Sequence, residues 1–176
     1  IFNTETNDIT VFDRIPILGH NIHDILYDEQ KNSIWIGTFR NGLFLYNLST
    51  RRWQQYLPEN TNGLPSDAIF SIKKQHNGTI WIATTQGLRY YDAEKNTFCT
   101  VNHNKLDIDF IYCLYIDSDD NVWAGTRNNG LFRIDNKSGE IIGWSTPTLK
   151  DYYITYLYQD SNQNIWIGTN NSGLQY

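Results

Sequence analysis

The side chains of this 176-residue chain that could carry chemistry are four histidines, nineteen carboxylates and two cysteines. His20 and His23 stand three residues apart at the start of a strand, so their side chains point to opposite faces. That is poor geometry for a metal, because zinc and copper sites need three or four converging ligands. His76 falls in a tight turn and His103 in a loop, both read as solvated polar positions. No Ser-His-Asp set accompanies a nucleophile elbow, and Gly63-Leu64-Pro65-Ser66 is a turn signal. The carboxylates Asp28, Asp117, Asp119, Asp120 and Asp160 all fall at recurring turns, where Asp ordinarily bonds the backbone two residues on. A glycosidase pair would need carboxyls about 5–9.5 Å apart, and no spacing along the chain argues for one. Cys99 and Cys113 stand outside any C-x-x-C spacing and read as small buried hydrophobes. These residues imply no catalytic centre, no metal and no cofactor.

What remains is binding, and binding needs elements to position it. The tryptophans set the frame. Ile34-Trp35-Ile36-Gly37-Thr38 returns as Ile80-Trp81-Ile82-Ala83-Thr84, Val122-Trp123-Ala124-Gly125-Thr126 and Ile165-Trp166-Ile167-Gly168-Thr169. The indoles step by 46, 42 and 43 residues. A Gly-Leu pair follows each, at Gly42, Gly87, Gly130 and Gly173, and a registered isoleucine precedes each, at Ile22, Ile69, Ile111 and Ile154. Short runs rich in Ile, Val, Thr and aromatics, such as 69–74, 79–84, 87–92 and 97–102, are bounded by turn residues and read as strands. No run keeps a helical apolar period with caps. The pattern predicts an all-β chain of β-propeller blades, each with four antiparallel strands. Trp35, Trp81, Trp123 and Trp166 are expected in the core between blades. The repeats fall at about 1–13 (partial), 18–57, 64–102, 106–146 and 149–176 (partial), about four in all. Phe2-Asn3-Thr4 aligns with Tyr46-Asn47-Leu48, which places Ile9–Phe12 in a fourth strand able to complete the last blade. Four blades could close alone, but four blades of a larger ring, with seven as the expected number, is the preferred reading.

Composition narrows the partners. A net charge of −5 without clustered Lys and Arg argues against nucleic acid. The longest apolar run, Phe110–Ile116, is seven residues, too short to cross a membrane as a helix. The chain has no methionine and begins at Ile1, and it reads as a segment of a longer polypeptide.

Gly63-Leu64-Pro65-Ser66-Asp67-Ala68-Ile69, Asp160-Ser161-Asn162-Gln163-Asn164-Ile165-Trp166-Ile167-Gly168-Thr169 and Asn129-Gly130-Leu131-Phe132-Arg133-Ile134-Asp135 together resemble the two-component regulator propeller repeat. Three departures stand out: Gln75 in place of the turn Asp, Ala83 in place of Gly, and one extra residue between Asp28 and Trp35. The resemblance implies the periplasmic sensor of a hybrid two-component protein that detects glycan fragments. Its kinase, receiver and DNA-binding parts would lie elsewhere in a parent that dimerises and meets the membrane outside this segment. Ligands of such a propeller are expected where the segment leading into each inner strand meets the loop between second and third strands. Arg40, Asp67, Asp109, Arg127, Asn128 and Tyr152 are the candidate contacts. Arg40 and Arg127 could grip an acidic group bidentately. The competing readings are a protein-interaction scaffold and, less favoured, a propeller lyase or glycosidase.

Overall fold

The structure is a computed structural model and describes residues 4–6, 21–61, 63–145 and 147–176. Every regular element among them is a strand. The strands are β1 (Ile22–Asp28), β2 (Ser33–Thr38), β3 (Leu43–Asn47), β4 (Arg52–Tyr56), β5 (Ile69–Lys74), β6 (Ile80–Thr84), β7 (Gly87–Asp92), β8 (Thr97–Cys99), β9 (Ile111–Ile116), β10 (Val122–Thr126), β11 (Leu131–Ile134), β12 (Ile141–Trp144), β13 (Ile154–Gln159), β14 (Ile165–Thr169) and β15 (Leu174–Gln175). They pair in chain order as antiparallel meanders, three sheets of four strands and a last sheet of three. The strand expected over Ile9–Phe12 lies outside the described residues. In the second repeat the outer strand stops at Cys99 rather than running to Asn102. There the Asp107 carboxylate turns the chain by accepting from Val101 N at 3.0 Å and His103 N at 2.9 Å.

Each part of the repeated motif has a physical task. The turn carboxylate is the first. Asp160 Oδ1 accepts from Asn162 N and Asn164 N, both at 2.9 Å, while Oδ2 takes Asn164 Nδ2 at 3.0 Å and Trp166 Nε1 at 2.8 Å. Asp117 repeats the arrangement, reaching Trp123 Nε1 at 2.7 Å. So the residue that folds the first hairpin also satisfies the indole. These bonds hold the Asp160 carboxyl below its ordinary pKa, the indole contributing most. Gln75 keeps the role of the acid it replaces, its Oε1 accepting from Trp81 Nε1 at 2.7 Å. The first repeat breaks it. With one extra residue in the turn, Asp28 pairs instead with Lys74 of the next sheet, and Asp28 Oδ2 and Trp35 Nε1 have no partner among the described residues.

The second hairpin closes on the recurring threonine. Thr38, Thr84, Thr126 and Thr169 donate Oγ1–H to the carbonyls of Gly42, Gly87, Gly130 and Gly173 at 2.7–2.9 Å. Gly42 has φ +74, and a Cβ there would fall 2.1 Å from the Tyr56 carbonyl oxygen. Only glycine fits.

Between sheets, the registered isoleucines seat on the small residue of the Trp motif. A Cβ on Gly37 would lie 2.8 Å from Ile69 Cγ2, and one on Gly125 would lie 2.7 Å from Ile154 Cγ2 and 2.6 Å from Cys113 Sγ. Three cores form, one at each junction, with Ile69, Ile111 and Ile154 all at 0% exposure. Trp35 and Trp81 are buried at 1% and 7%. Trp123 and Trp166 are half-buried, because fewer side chains cover them toward the chain's last sheet. Trp123 stacks on Trp144 at 5.5 Å.

Gly125→Ala should overpack the third junction and cost about 1–3 kcal/mol. Gly168→Ala, whose new Cβ would meet Tyr156 Cβ at 3.3 Å rather than several atoms under 3 Å, should cost less. Urea denaturation midpoints of the two variants read the difference. Equal losses would contradict the seating.

Candidate functional site

Four bulges define the axial face. In each sheet the pairing of first and second strands skips one residue: Ile22↔Thr38 is followed by Asp24↔Gly37, and Ile69↔Thr84 by Ser71↔Ala83. The same slip falls between Ile111 and Cys113 and between Ile154 and Tyr156. The skipped residues are His23, Phe70, Tyr112 and Thr155. A bulge bends the strand and re-aims its side chain. Here all four line one cavity of about 490 Å³ between the inner strands.

Three of the four carry rings, and those rings continue into the loops. His23 stacks near Phe39 at 5.7 Å and meets Phe70 edge-on at 4.5 Å. Phe70 meets Phe110 at 4.6 Å and Tyr112 at 5.4 Å, and Tyr112 meets Tyr153 at 5.2 Å. The result is an unbroken aromatic arc across four blades. Two guanidiniums lie on it. Arg40 sits over Phe39 at 5.0 Å, and Arg127 over Phe110 at 5.6 Å and Tyr153 at 5.7 Å. Both arginines are exposed, and among the described residues neither forms an ion pair. Desolvation, then the Tyr112 side chain, pushes the Tyr153 phenol up, with Arg127 opposing.

The carboxylates of this face are already engaged. Asp24 Oδ2 accepts from Ser71 Oγ at 3.0 Å, Ile72 N at 2.8 Å and Lys73 Nζ at 2.8 Å, tying the first sheet to the second. Asp109 is buried, with Oδ1 taking Phe110 N at 2.8 Å and Asn128 Nδ2 at 3.0 Å and Oδ2 taking Asn129 Nδ2 at 2.7 Å. Of the expected contacts, then, Asp109 and Asn128 latch one loop to the segment leading into its own sheet. The Asp67 carbonyl accepts from Gly42 N at 2.7 Å, and that of the exposed Tyr152 from Gly130 N at 3.1 Å. The lead-in segments and the loops do share one face, since Phe39 N, Thr85 N, Arg127 N and Asn170 N donate to Asn21, Ala68, Phe110 and Tyr153 carbonyls. Arg40 and Arg127 stand at two places on its rim, joined by the ring chain Phe39–Phe70–Phe110. His20 lies outside the described residues. His76 is 2.9 Å from Asp120 Oδ1 at a turn, and His103 Nδ1 accepts from Leu106 N at 3.3 Å. No group of three or more His, Cys, Asp or Glu side chains among the described residues converges as metal ligands would.

With this geometry in view, comparison with known proteins separates fold from family. Residues 63–86, 105–128 and 148–171 match the two component regulator propeller. Those three stretches carry that family's repeat. Over 92 residues, 48% of this chain, it is 32% identical to histidine kinase P4 of Formosa agariphila, of which it spans 7%. The extracellular domain of the hybrid two component system BT3049 from B. thetaiotaomicron superposes with a TM-score of 0.80 at 25% identity. That match covers 98% of this chain and 23% of the other. Virginiamycin B lyase from Staphylococcus aureus shares the fold alone, at 18% identity and a TM-score of 0.66 over 88% of this chain and 54% of its own.

Cys113, on the cavity wall, is buried, and burial pushes its thiol from 9.0 up to about 12. It should stay unreactive toward a disulfide reagent at pH 8, with only the half-buried Cys99 labelling before unfolding. The folded pKa lies above the unfolded one. The thiol's contribution to stability is therefore complete below about pH 9 and fades as pH rises toward 12. Two fast-labelling thiols in the native protein would contradict this placement.

Proposed function

We propose that this chain is part of the extracytoplasmic, periplasmic sensor of a hybrid two-component protein, taking glycan fragments on the axial face. The observation that carries the reading is the aromatic arc with two unpaired guanidiniums lying on it. Sugar rings present apolar C–H faces that lie well on aromatic rings, while their hydroxyls seek a few placed polar groups. The resemblance to a hybrid-system extracellular domain supports the setting. The segment binds and does not catalyse; a parent kinase would turn occupancy into signal. The unpaired arginines favour an acidic glycan, uronic or sulfated, because a guanidinium bonds such groups bidentately. Asp24 of this face is paired with Lys73 and Asp109 is held by neutral donors, so the two guanidiniums are cations that no carboxylate engages among the described residues.

Calorimetric titration with matched acidic and neutral oligosaccharides tests both the class and the site. Arg40→Ala and Arg127→Ala should each weaken the acidic ligand about tenfold to a hundredfold, the equivalent of about 1.5–3 kcal/mol per charged hydrogen-bond partner. The neutral ligand should change little. Unchanged affinity in both variants would remove the arginines from the site, and an absence of binding to any glycan would remove the function.

A further inference from the structure

Three buried polar atoms of the first repeat have no hydrogen-bond partner among the described residues: Asp28 Oδ2, Ser33 Oγ and Trp35 Nε1. Their residues are 1%, 3% and 1% exposed, and Trp35 packs inside the first junction, away from either end of the stack of sheets. Register brings the three together. Asp28 stands opposite Ser33 across the first hairpin, and Trp35 lies two residues beyond Ser33 on the same side of β2. In the third and fourth repeats the equivalent positions are Asp117, Asn121 and Trp123, and Asp160, Asn164 and Trp166. There the carboxylate Oδ2 takes both the asparagine Nδ2, at 3.0 Å, and the indole Nε1, at 2.7–2.8 Å. The first repeat departs from this triangle twice. Ser33 stands in place of the asparagine and falls short of it by an amide group, and residues 29–32 separate Asp28 from Ser33 where only 118–120 separate Asp117 from Asn121.

We propose that one ordered water molecule binds at the centre of this triangle and forms a fixed part of the first junction. Donor chemistry selects water. An indole N–H can only donate, a carboxylate can only accept, and a hydroxyl can do either. A molecule that accepts from Trp35 Nε1–H, donates to Asp28 Oδ2 and makes a third bond with Ser33 Oγ satisfies all three, and three is the usual number of bonds for a buried water. A metal cation would meet the positive hydrogen of the indole, and an anion would meet the carboxylate. Buried polar groups left unpaired are costly, so the site has a reason to fill. A cleft of about 280 Å³ lined in part by Glu29, Gln30 and Lys74 opens beside the Asp28–Lys74 pair and offers a way in from solvent. The water does the work of the missing amide, and it ties Trp35 through Asp28 to Lys74 of the next sheet.

A crystal structure at a resolution that orders water tests the site directly. The expected result is a density peak within about 3.2 Å of Asp28 Oδ2, Ser33 Oγ and Trp35 Nε1. In solution, the Trp35 indole proton should cross-relax with the water resonance, whereas that of the buried Trp81, bonded directly to Gln75 Oε1, should not. Ser33→Asn should expel the molecule, the new Nδ2 donating to Asp28 Oδ2 as Asn121 Nδ2 does to Asp117, and the Trp35 signal should go with it. The wild-type map and spectrum decide the matter if that variant does not fold. The lack of a peak among the three atoms, or a protein acceptor bonded directly to Trp35 Nε1, would overturn the inference. So would a peak that Ser33→Asn leaves in place.

Discussion

The sheets of this molecule depend on seating a branched side chain on a glycine or alanine. A four-stranded sheet cannot bury both faces by itself, so each blade is stable only against its neighbours. The contact that joins them is Ile69 over Gly37, Ile111 over Ala83 and Ile154 over Gly125. The small residue at each junction, Gly37, Ala83 or Gly125, sets how closely adjacent inner strands approach. With that spacing fixed, the skipped residue beside each isoleucine has only the axis to turn toward. The packing junction and the candidate binding face are therefore consequences of one register.

The polar groups around this core divide into those that are engaged and those that are not. Turn carboxylates are consumed by backbone amides and by the indole, which anchors the second strand to its own hairpin. Asp24 and Asp109 are consumed on the axial side, by Lys73 and by two asparagines. Arg40 and Arg127 are exposed, form no ion pair among the described residues and are supported on rings. Rings beneath a guanidinium hold it in place without neutralising it. That is the electrostatic condition for receiving an anion from solvent.

Much of the fold was legible because the repeat recurs in register. The tryptophans, the Gly-Leu pairs and the Thr-to-Gly hairpins each reappear at a fixed phase, and tight turns admit few residue types. The candidate site was legible in part. Arg40 and Arg127 were readable from their loops, but Asp109 and Asn128 are spent on each other, which no spacing reveals. His23, Phe70 and Tyr112 were missed because strict alternation assigns them to a sheet face, and the bulge that redirects them has no residue signature of its own. One trace existed, a large or polar side chain directly after each registered isoleucine. The turn acids were read for their backbone bonds and not as indole acceptors. The extra residue after Asp28 then proved consequential, since it costs Trp35 its partner and hands Asp28 to Lys74.

The central claim is that ligand meets this protein on the face built by the bulged residues. Hydrogen–deuterium exchange, with and without a bound acidic oligosaccharide, tests it most directly because it maps protection along the whole backbone. The account expects slowed exchange in the loops around Arg40 and Arg127, at Phe70 and Tyr112, and in the lead-in segments before Ile69 and Ile154. Protection confined to the opposite turns, around Asn77, Asp119 and Asn162, with the arginine loops unchanged, would contradict it.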